Sequence, residues 1–234
     1  INRLTRENPS AIAFDVIFSE PSSLASDSQL AAAMTASGRV FLALHTAEMP
    51  PRKDVAKAAD HFAVQPGMLT GQQALPTFGG LIPPLPQFAQ AAAGGGAIAA
   101  FPDPDGVVRR ALLLCTQTAA HPGERRLYPS LLLSLAAGHR HWDFSRMDLN
   151  LRREAVLSPQ TRVPLDGQGE ALINFLGSAD MVSKVSYVDV LDGRFPPRLF
   201  QGTTQVNPDG LVFLGTTNRF VAASGADLSL WNPD

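Results

Sequence analysis

The sequence predicts a single α/β domain with a mixed, mostly parallel sheet, helices on both faces and a long proline-rich insertion. Three apolar segments without polar alternation support this class: residues 11–18, 39–44 and 211–214. Strands that are apolar on both faces are typical of sheets covered by helices on both sides. The length of 234 residues suits one large domain spanning 1–234, and no linker divides it.

The first 44 residues predict a strand–helix–strand unit. Residues 27–36 place Asp27 at the predicted N-cap of an Ala-rich and Leu-containing helix, and Gly38 follows the end of that helix. Because the helix lies between two apolar strands, we expect a right-handed crossover with the strands in parallel.

Residues 46–87 form the predicted proline-rich insertion. They contain seven prolines, and only residues 55–62 have the composition of a short helix. Long irregular connections of this kind are usually lids, binding loops or interaction surfaces. A surface excursion held by its prolines is the alternative, and the composition does not separate the two.

The second half predicts further helices and strands. We expect a helix at 88–93 ending at the glycine triplet 94–96, and a buried helix at 129–137. Strands 97–101 and 107–114 form a predicted hairpin, because Asp-Gly in a proline-rich turn between apolar runs is a strong hairpin signal. The residues of that structural turn are Asp103, Asp105 and Gly106. Short elements are also expected at 155–157, 163–165, 172–175 and 187–191.

Composition narrows the possible functions. The 19 Lys and Arg against 21 Asp and Glu give a formal net charge of −2, so no global basic field favours nucleic acid as a partner. A single cysteine excludes an internal disulfide framework and any cysteine-based zinc site. A hydrophobic content of 45% is sufficient for a folded core.

The sequence contains no signature of a catalytic or cofactor-binding loop. The glycine triplet precedes a predicted strand, whereas a dinucleotide-binding loop follows one, and there is no P-loop or nucleophile elbow. Cys115 lies in an apolar run and is predicted to be a buried small hydrophobe. His139, His141 and Asp143 could ligate a metal, but histidines after a helix end more often complement its dipole. We therefore predict no cofactor, no metal and no catalytic residue.

Asp15 is the most informative single residue, because an Asp within an apolar strand is costly to bury unless it is paired. Arg109 and Arg110 are its predicted partners. A structural ion pair is favoured over ligand contact, so Asp15→Asn is predicted to lower the melting temperature. If Asp15 lies at the carboxyl end of its strand, it faces the crevice where open α/β sheets bind ligands.

Several motifs occur in an order that is informative as a set: NPSAIAFDVIFSEPS, the D-x-x-L-A-x-A helix beginning at Asp27, GRVFLA, DPDGVVRR, YPSLLLSLAA, LINFLG, VSYVDVLDG and LVFLGTT. This succession covers nearly the whole chain. It resembles the CHASE domain of the second type, the cyclase- and histidine-kinase-associated sensory extracellular domain.

The resemblance implies a non-catalytic, signal-sensing domain on the periplasmic or extracellular side of a bacterial transmembrane receptor. Such receptors carry flanking membrane helices and a cyclase, histidine kinase or similar output module. The chain begins at Ile1, so we expect it to be a piece of such a protein. The expected partners are a small-molecule or protein signal and a second copy in a homodimer. The candidate ligand-contacting residues are Asp15, Glu20, Arg109, Arg110 and Asn174.

Two other classes of function remain open at this point. One is a soluble hydrolase-like enzyme in which Asp15 acts with Glu20 or Asp27 and an arginine. The other is a structural assembly domain that uses the proline-rich insertion 46–87 as its contact surface.

Overall fold

The computed structural model describes residues 1–49, 57–118, 126–175, 183–194, 210–214 and 219–224. The α-helices in these ranges are α1 (Asn2–Arg6), α2 (Leu24–Ser37), α3 (Pro86–Ala91), α4 (Leu131–Arg140) and α5 (Tyr187–Asp192). Short 3₁₀ turns lie at Asp60–Phe62, Gln72–Ala74 and Phe144–Arg146. Within the described ranges, no helix is long and apolar enough to cross a bilayer.

Within the described residues, the strands are short and form four sheets. In chain order they are β1 (Ala11–Phe14), β2 (Val40–Ala47), β3 (Met68–Thr70), β4 (Thr77–Phe78), β5 (Gly80–Ile82), β6 (Gly94–Ile98), β7 (Arg110–Leu112), β8 (Leu114–Gln117), β9 (Leu127–Pro129), β10 (Asp148–Asn150), β11 (Glu154–Ser158), β12 (Thr161–Pro164), β13 (Glu170–Leu172), β14 (Ser183–Ser186), β15 (Gly210–Leu214) and β16 (Arg219–Ser224).

The largest sheet has seven strands in the order β14-β16-β15-β1-β2, with β5 and β6 both paired to β2. Strand β1 is parallel to β15 and to β2, and β2 is parallel to β6. The strands β14, β16 and β5 run antiparallel to their neighbours. The predicted α/β class with a mixed sheet is confirmed, and so is the β1–α2–β2 parallel unit.

Apolar side chains point alternately to the two faces of this sheet along its central strands, and this explains why helices cover both faces. Ile12 and Phe14 face one side, where they pack with α1, α2, α3 and α5. Ala11 and Ala13 face the other side, where they pack against Leu131 and Leu135 of α4. Because side chains alternate between the faces with a period of two, a strand that is apolar throughout can supply both cores.

Helix α4 lies between two sheets. Its opposite side packs through Leu133 and Ala137 against a second sheet with the order β12-β11-β10-β3. That sheet contributes Leu149 and Leu157 to the shared core. A helix that is apolar on nearly every side is expected to be buried, and the predicted buried helix at 129–137 is confirmed with somewhat later bounds.

Two local predictions were wrong. The strands at 97–101 and 107–114 do not form a hairpin: β6 pairs with β2, and β7 pairs with β13. Only the tip of the turn forms, with Gly106 N donating to the Asp103 carbonyl at 2.8 Å. Helix α2 begins at Leu24, because the Ser23 side chain accepts from Ser26 N and caps it. Asp27 therefore lies inside the first turns, where it accepts a hydrogen bond from Ser22 N at 3.1 Å.

The predicted insertion at 46–87 differs from the expectation over its described residues. These residues supply the last part of β2 and the strands β3, β4 and β5, which belong to three different sheets. The proline content therefore accompanies short strands that change sheets, since proline tolerates strand ends and edges but not central positions.

Candidate functional site

Asp15 follows the last residue of β1, so it lies at the carboxyl end of its strand, the condition under which it would face the crevice. It is half-buried, and burial raises the pKa of its carboxyl group. Among the described residues, none forms a hydrogen bond or an ion pair with the Asp15 side chain. A half-buried carboxylate without such a partner destabilises the folded state when it is ionised. The structure therefore favours the opposite sign for Asp15→Asn from the one predicted above.

On the side of β2, the space beyond β1 is occupied by the chain itself. His45 of β2 pairs with Ile82 of β5 and with Ile98 of β6, which must lie on opposite edges of β2. Since β6 occupies one edge, β5 continues along the edge that β1 occupies, beyond the end of β1. Leu85 N donates to the Phe18 carbonyl at 2.7 Å and holds the following segment in place.

Arg109 and Arg110 do not pair with Asp15, so that prediction was wrong. Arg109 forms a bidentate pair with Asp105, at 2.8 and 2.7 Å, and a third bond to Asp103 at 3.0 Å. The guanidinium group lowers the pKa of Asp105. Arg110 binds Asp103 and also Asp166, the latter at 3.2 Å. The DPDGVVRR motif is thus an ion-pair network that fixes its own turn.

Glu20 and Asn174, the remaining candidate ligand contacts, are both exposed. Asn174 follows β13, and the neighbouring Ile173 N donates to the Arg109 carbonyl at 2.8 Å. The five candidate residues therefore fall into separate places: Asp15 at the end of β1, the arginines in the turn network, and two side chains in solvent.

A groove of about 420 Å³ lies beside the first residues of β6, between the turn Asp60–Phe62 and the C-terminal end of α4. Its aromatic lining consists of Phe41, Phe62, Trp142 and Phe144. Its remaining lining includes three glycines, two histidines and the hydroxyl-bearing Ser134. This groove is at the edge of the sheet opposite to β1, and sequence reasoning missed it.

Glycines make the groove possible. A Cβ at Gly94 would lie 2.7 Å from Cε1 of Phe41, and a Cβ at Gly95 would lie 2.7 Å from Cε1 of Phe62. A Cβ at Gly138 would collide with the Phe41 ring as well. The triplet 94–96 lies within β6 rather than at a helix end, because only glycine allows the two aromatic rings to pack against this strand.

His141 holds a strained position on the groove. It ends α4 in the left-handed conformation, with φ 55° and ψ 36°. His141 N donates to Gly138 O at 3.4 Å and Trp142 N donates to Ala137 O at 2.9 Å, which is the Schellman pattern that normally has glycine here. A residue with a side chain costs free energy in this conformation relative to glycine.

The other residues of the possible metal set have structural roles. His139 Nδ1 is 2.9 Å from the Ser10 hydroxyl, and Asp143 caps the turn Phe144–Arg146 by accepting from Ser145 N at 2.9 Å. The described part of the chain contains no group of three His, Cys, Asp or Glu side chains arranged to hold a metal ion. Cys115 is buried as predicted, and burial raises the pKa of its thiol to about 12.

A chain of polar contacts connects the groove with β5. Asp60, next to the groove residues His61 and Phe62, pairs with Arg126 and accepts a long hydrogen bond of 3.5 Å from the Tyr128 hydroxyl. That hydroxyl accepts from Gln117 Nε2 at 2.9 Å. Gln117 Oε1 in turn accepts from the backbone N–H of Leu81 in β5 at 3.2 Å. Burial and the Asp60 carboxylate raise the pKa of Tyr128 to about 12.

The comparison with protein families identifies the chain. The family model described as the CHASE2 domain matches residues 1–230, and this span includes both the crevice and the groove. No curated protein and no solved structure shows a significant match. The resemblance drawn from the order of the motifs is confirmed. The chain therefore belongs to the CHASE2 domain family, whose members are extracellular sensory domains found in cyclase and histidine kinase receptors.

Proposed function

We propose that this domain senses a small molecule outside the cytoplasm of a bacterium and passes the signal across the membrane to a cyclase or kinase module. The groove beside β6 is the proposed ligand site. The observation that carries the proposal is the groove itself: aromatic side chains surround a glycine floor, next to a strained histidine, in a member of a sensory family. Pockets of this size that combine aromatic side chains with well-placed polar groups are typical of small-molecule sites.

The carboxyl end of β1 supports this function less well. The rule that open α/β sheets bind ligands at the carboxyl ends of their strands requires an accessible crevice. Here β5 and the buried prolines Pro83 and Pro84 occupy the space beyond β1. The hydrolase alternative built on Asp15 also loses its arginine, because Arg109 and Arg110 pair elsewhere.

The polar contacts from Asp60 to Leu81 suggest how occupation of the groove reaches the centre of the sheet. A ligand that contacts His61 and Phe62 displaces the turn Asp60–Phe62, in which Asp60 binds Tyr128. Tyr128 and Gln117 then connect this turn to β5, which is paired with β2. The ligand can shift a two-state equilibrium only by the difference in its affinity for the two states.

A reporter fusion tests the location. An enzyme that is active only outside the cytoplasm, fused within the full-length receptor directly after residue 234, should be active. The same enzyme fused to the output module should be inactive and serves as the control. Activity at the output module, together with none after residue 234, would contradict the proposed orientation.

A signalling assay tests the role of the groove. Gly94→Val places a branched side chain against Phe41 and should abolish the response of the membrane-bound receptor to its signal. Gly167→Val is the matched control, because no atom lies within 4 Å of a Cβ at this exposed turn. Unchanged signalling by Gly94→Val, with the receptor folded and present in the membrane, would remove the groove from the proposal.

A further inference from the structure

The lining of the groove indicates the charge of its ligand. No Lys, Arg, Asp or Glu side chain is among the residues that line it within the described part of the chain. A charged group that leaves water for such a site loses its hydration without gaining a compensating ion pair. The lining therefore favours a ligand that carries no net charge.

The partly exposed aromatic side chains and the glycine backbone in the walls favour a flat ligand. Phe41 and Phe62 are nearly fully buried and fixed by the glycines of β6, so their rings cannot move aside without disturbing the core. Trp142 and Phe144 face the groove from the segment that follows α4. Aromatic rings interact best with other rings in offset-stacked or edge-to-face arrangements, and a glycine strand presents a flat peptide surface to such a ring.

The backbone of β6 supplies a donor and an acceptor. Ala93 N donates to the Val40 carbonyl of β2 at 2.8 Å. Because peptide groups alternate in direction along a strand, the N–H and C=O groups of the next residue, Gly94, point away from β2. Gly94 lines the groove, so this adjacent donor and acceptor match a ligand that carries an acceptor beside a donor, as a carboxamide does.

Ser134 adds a third polar group at the same place. It is 6% exposed, and its Oγ lies 3.2 Å from the position that a Cβ of Gly94 would occupy. Among the described residues, none forms a hydrogen bond with this hydroxyl group. Since no buried side-chain oxygen or nitrogen lacks a partner in the described part of the chain, the Ser134 Oγ atom is reached from the groove, where a polar atom of a ligand can bond to it.

We propose that the groove binds an uncharged, planar aromatic molecule bearing a carboxamide-like pair of hydrogen-bonding atoms, with Gly94 and Ser134 as its polar contacts. This inference rests on the proposed function of the groove as the ligand site and adds the chemical class of the ligand.

Three small molecules of nearly identical shape test the class. Benzamide is neutral and has both a donor and an acceptor, benzoate is an anion without a donor, and benzamidine is a cation without an acceptor. Trp142 provides the signal, because its fluorescence responds to a ring bound in the groove. Trp231, the only other tryptophan, is replaced by Phe so that the signal comes from Trp142 alone. The titrations use the 234-residue chain at pH 8, where imidazole groups are ordinarily neutral.

Benzamide should bind with a dissociation constant at least about tenfold lower than those of benzoate and benzamidine, because a site built to satisfy hydrogen bonds rejects analogues that lack them. Ser134→Ala should weaken benzamide binding by about tenfold while retaining the fold. Gly94→Val should abolish binding, and Gly167→Val should leave it unchanged.

The outcomes that overturn the inference are separable from those that overturn the proposed function. Equal or tighter binding of a charged analogue that Gly94→Val abolishes would overturn the uncharged class and keep the groove as a ligand site. Fluorescence changes that persist in both Gly94→Val and Ser134→Ala would overturn the groove as well. No change with any of the three molecules, or benzamide binding that Ser134→Ala leaves intact, would also overturn the inference.

Discussion

The two ends of the large sheet have opposite properties. At the carboxyl end of β1, β5 continues the line of β1 along β2, and with the buried Pro83 and Pro84 it closes this side of the crevice. At the start of β6, the glycines have no side chains to fill the space, and a groove remains between Phe62 and α4. Both regions lie beside central strands of one sheet. The comparison shows that the side chains and returning segments next to a strand end decide where a sheet is open.

The polar residues at the end of β1 and in the groove also differ. Asp15 lies at the closed end without a partner among the described residues, so it looks like a site residue in the sequence and has little to bind in the structure. Ser134 carries no signal in the sequence and His141 was considered only as a possible metal ligand, yet both lie on the open groove. A conspicuous residue is therefore a weaker guide to a site than the space around it.

The largest expected effect comes from Gly96→Val, because Gly96 lies where β6 packs against the start of α4, next to the groove. A Cβ at Gly96 would lie 2.5 Å from the backbone nitrogen of Leu131 at the start of α4. Backbone atoms cannot move aside as a flexible side chain can, so we expect a loss of about 3 kcal/mol in the free energy of unfolding. Chemical denaturation measures the loss, with Gly167→Val as the unaffected control. A small effect would show that α4 can shift away from β6.

Tyr128→Phe tests the connection between the two regions. The substitution removes the hydroxyl group that bonds Gln117 and Asp60, so Gln117 Nε2 loses its partner while Asp60 keeps its ion pair with Arg126. We expect a loss of about 1–3 kcal/mol in the free energy of unfolding and a weaker response of the receptor. The control is Gly167→Val, because no atom lies within 4 Å of a Cβ at that position. Full signalling by a stably folded Tyr128→Phe receptor would contradict the proposed connection between the groove and β5.

His141→Gly separates the effect of this histidine on stability from its effect on ligand binding. Glycine relieves the left-handed conformation at φ 55°, so the free energy of unfolding should rise by about 1 kcal/mol. Benzamide binding should weaken, because the side chain that lines the groove is gone. Asn8→Gly is the comparison variant, since Asn8 has a φ of 56° away from the groove. A stabilised His141→Gly protein with unchanged binding would remove this histidine from the site.

The smallest effect is expected at the closed end, from Asp15→Asn. Burial raises the pKa of Asp15 in the folded state above its unfolded value. Its ionised form therefore destabilises the fold at pH 7, and this penalty disappears as the pH falls through the folded-state pKa towards the unfolded value near 4. Because the group is half exposed to solvent, the gain on substitution should be below about 1 kcal/mol. Thermal unfolding at pH 7 and pH 4 measures it, and destabilisation at pH 7 would restore a structural role for Asp15.

The sequence predicts the class of fold well, because local signals there agree with the tertiary structure. The apolar runs at β1, β2 and β15 predict strands from the sequence alone, and each of them forms a strand of the large sheet. The hairpin failed because Asp103–Gly106 does form the local turn, whereas strand pairing is decided elsewhere, by the contact of β6 with β2. The start of α2 was misplaced because Ser23 and Asp27 can both cap a helix, and the choice depends on the path of the chain before it.

The groove could not be predicted in the same way. Its walls come from Phe41, Phe62, Gly94 and Trp142, which lie up to about a hundred positions apart, and no local pattern brings them together. The glycine triplet was the one visible signal, since three glycines in a row before apolar residues indicate a close approach of some neighbour. The left-handed conformation of His141 depends on the end of α4 and has no mark in the sequence.

The pairing of β1 with β15 has a consequence for the order of events during synthesis. Strand β1 ends at Phe14, yet one of its two parallel neighbours begins at Gly210. Nearly two hundred residues must be made before the central strand of the sheet has both edges covered. Contacts so distant in sequence slow folding, and until β15 arrives one edge of β1 stays unpaired and able to join another chain. Folding of the large sheet can therefore be completed only after β15 has been made.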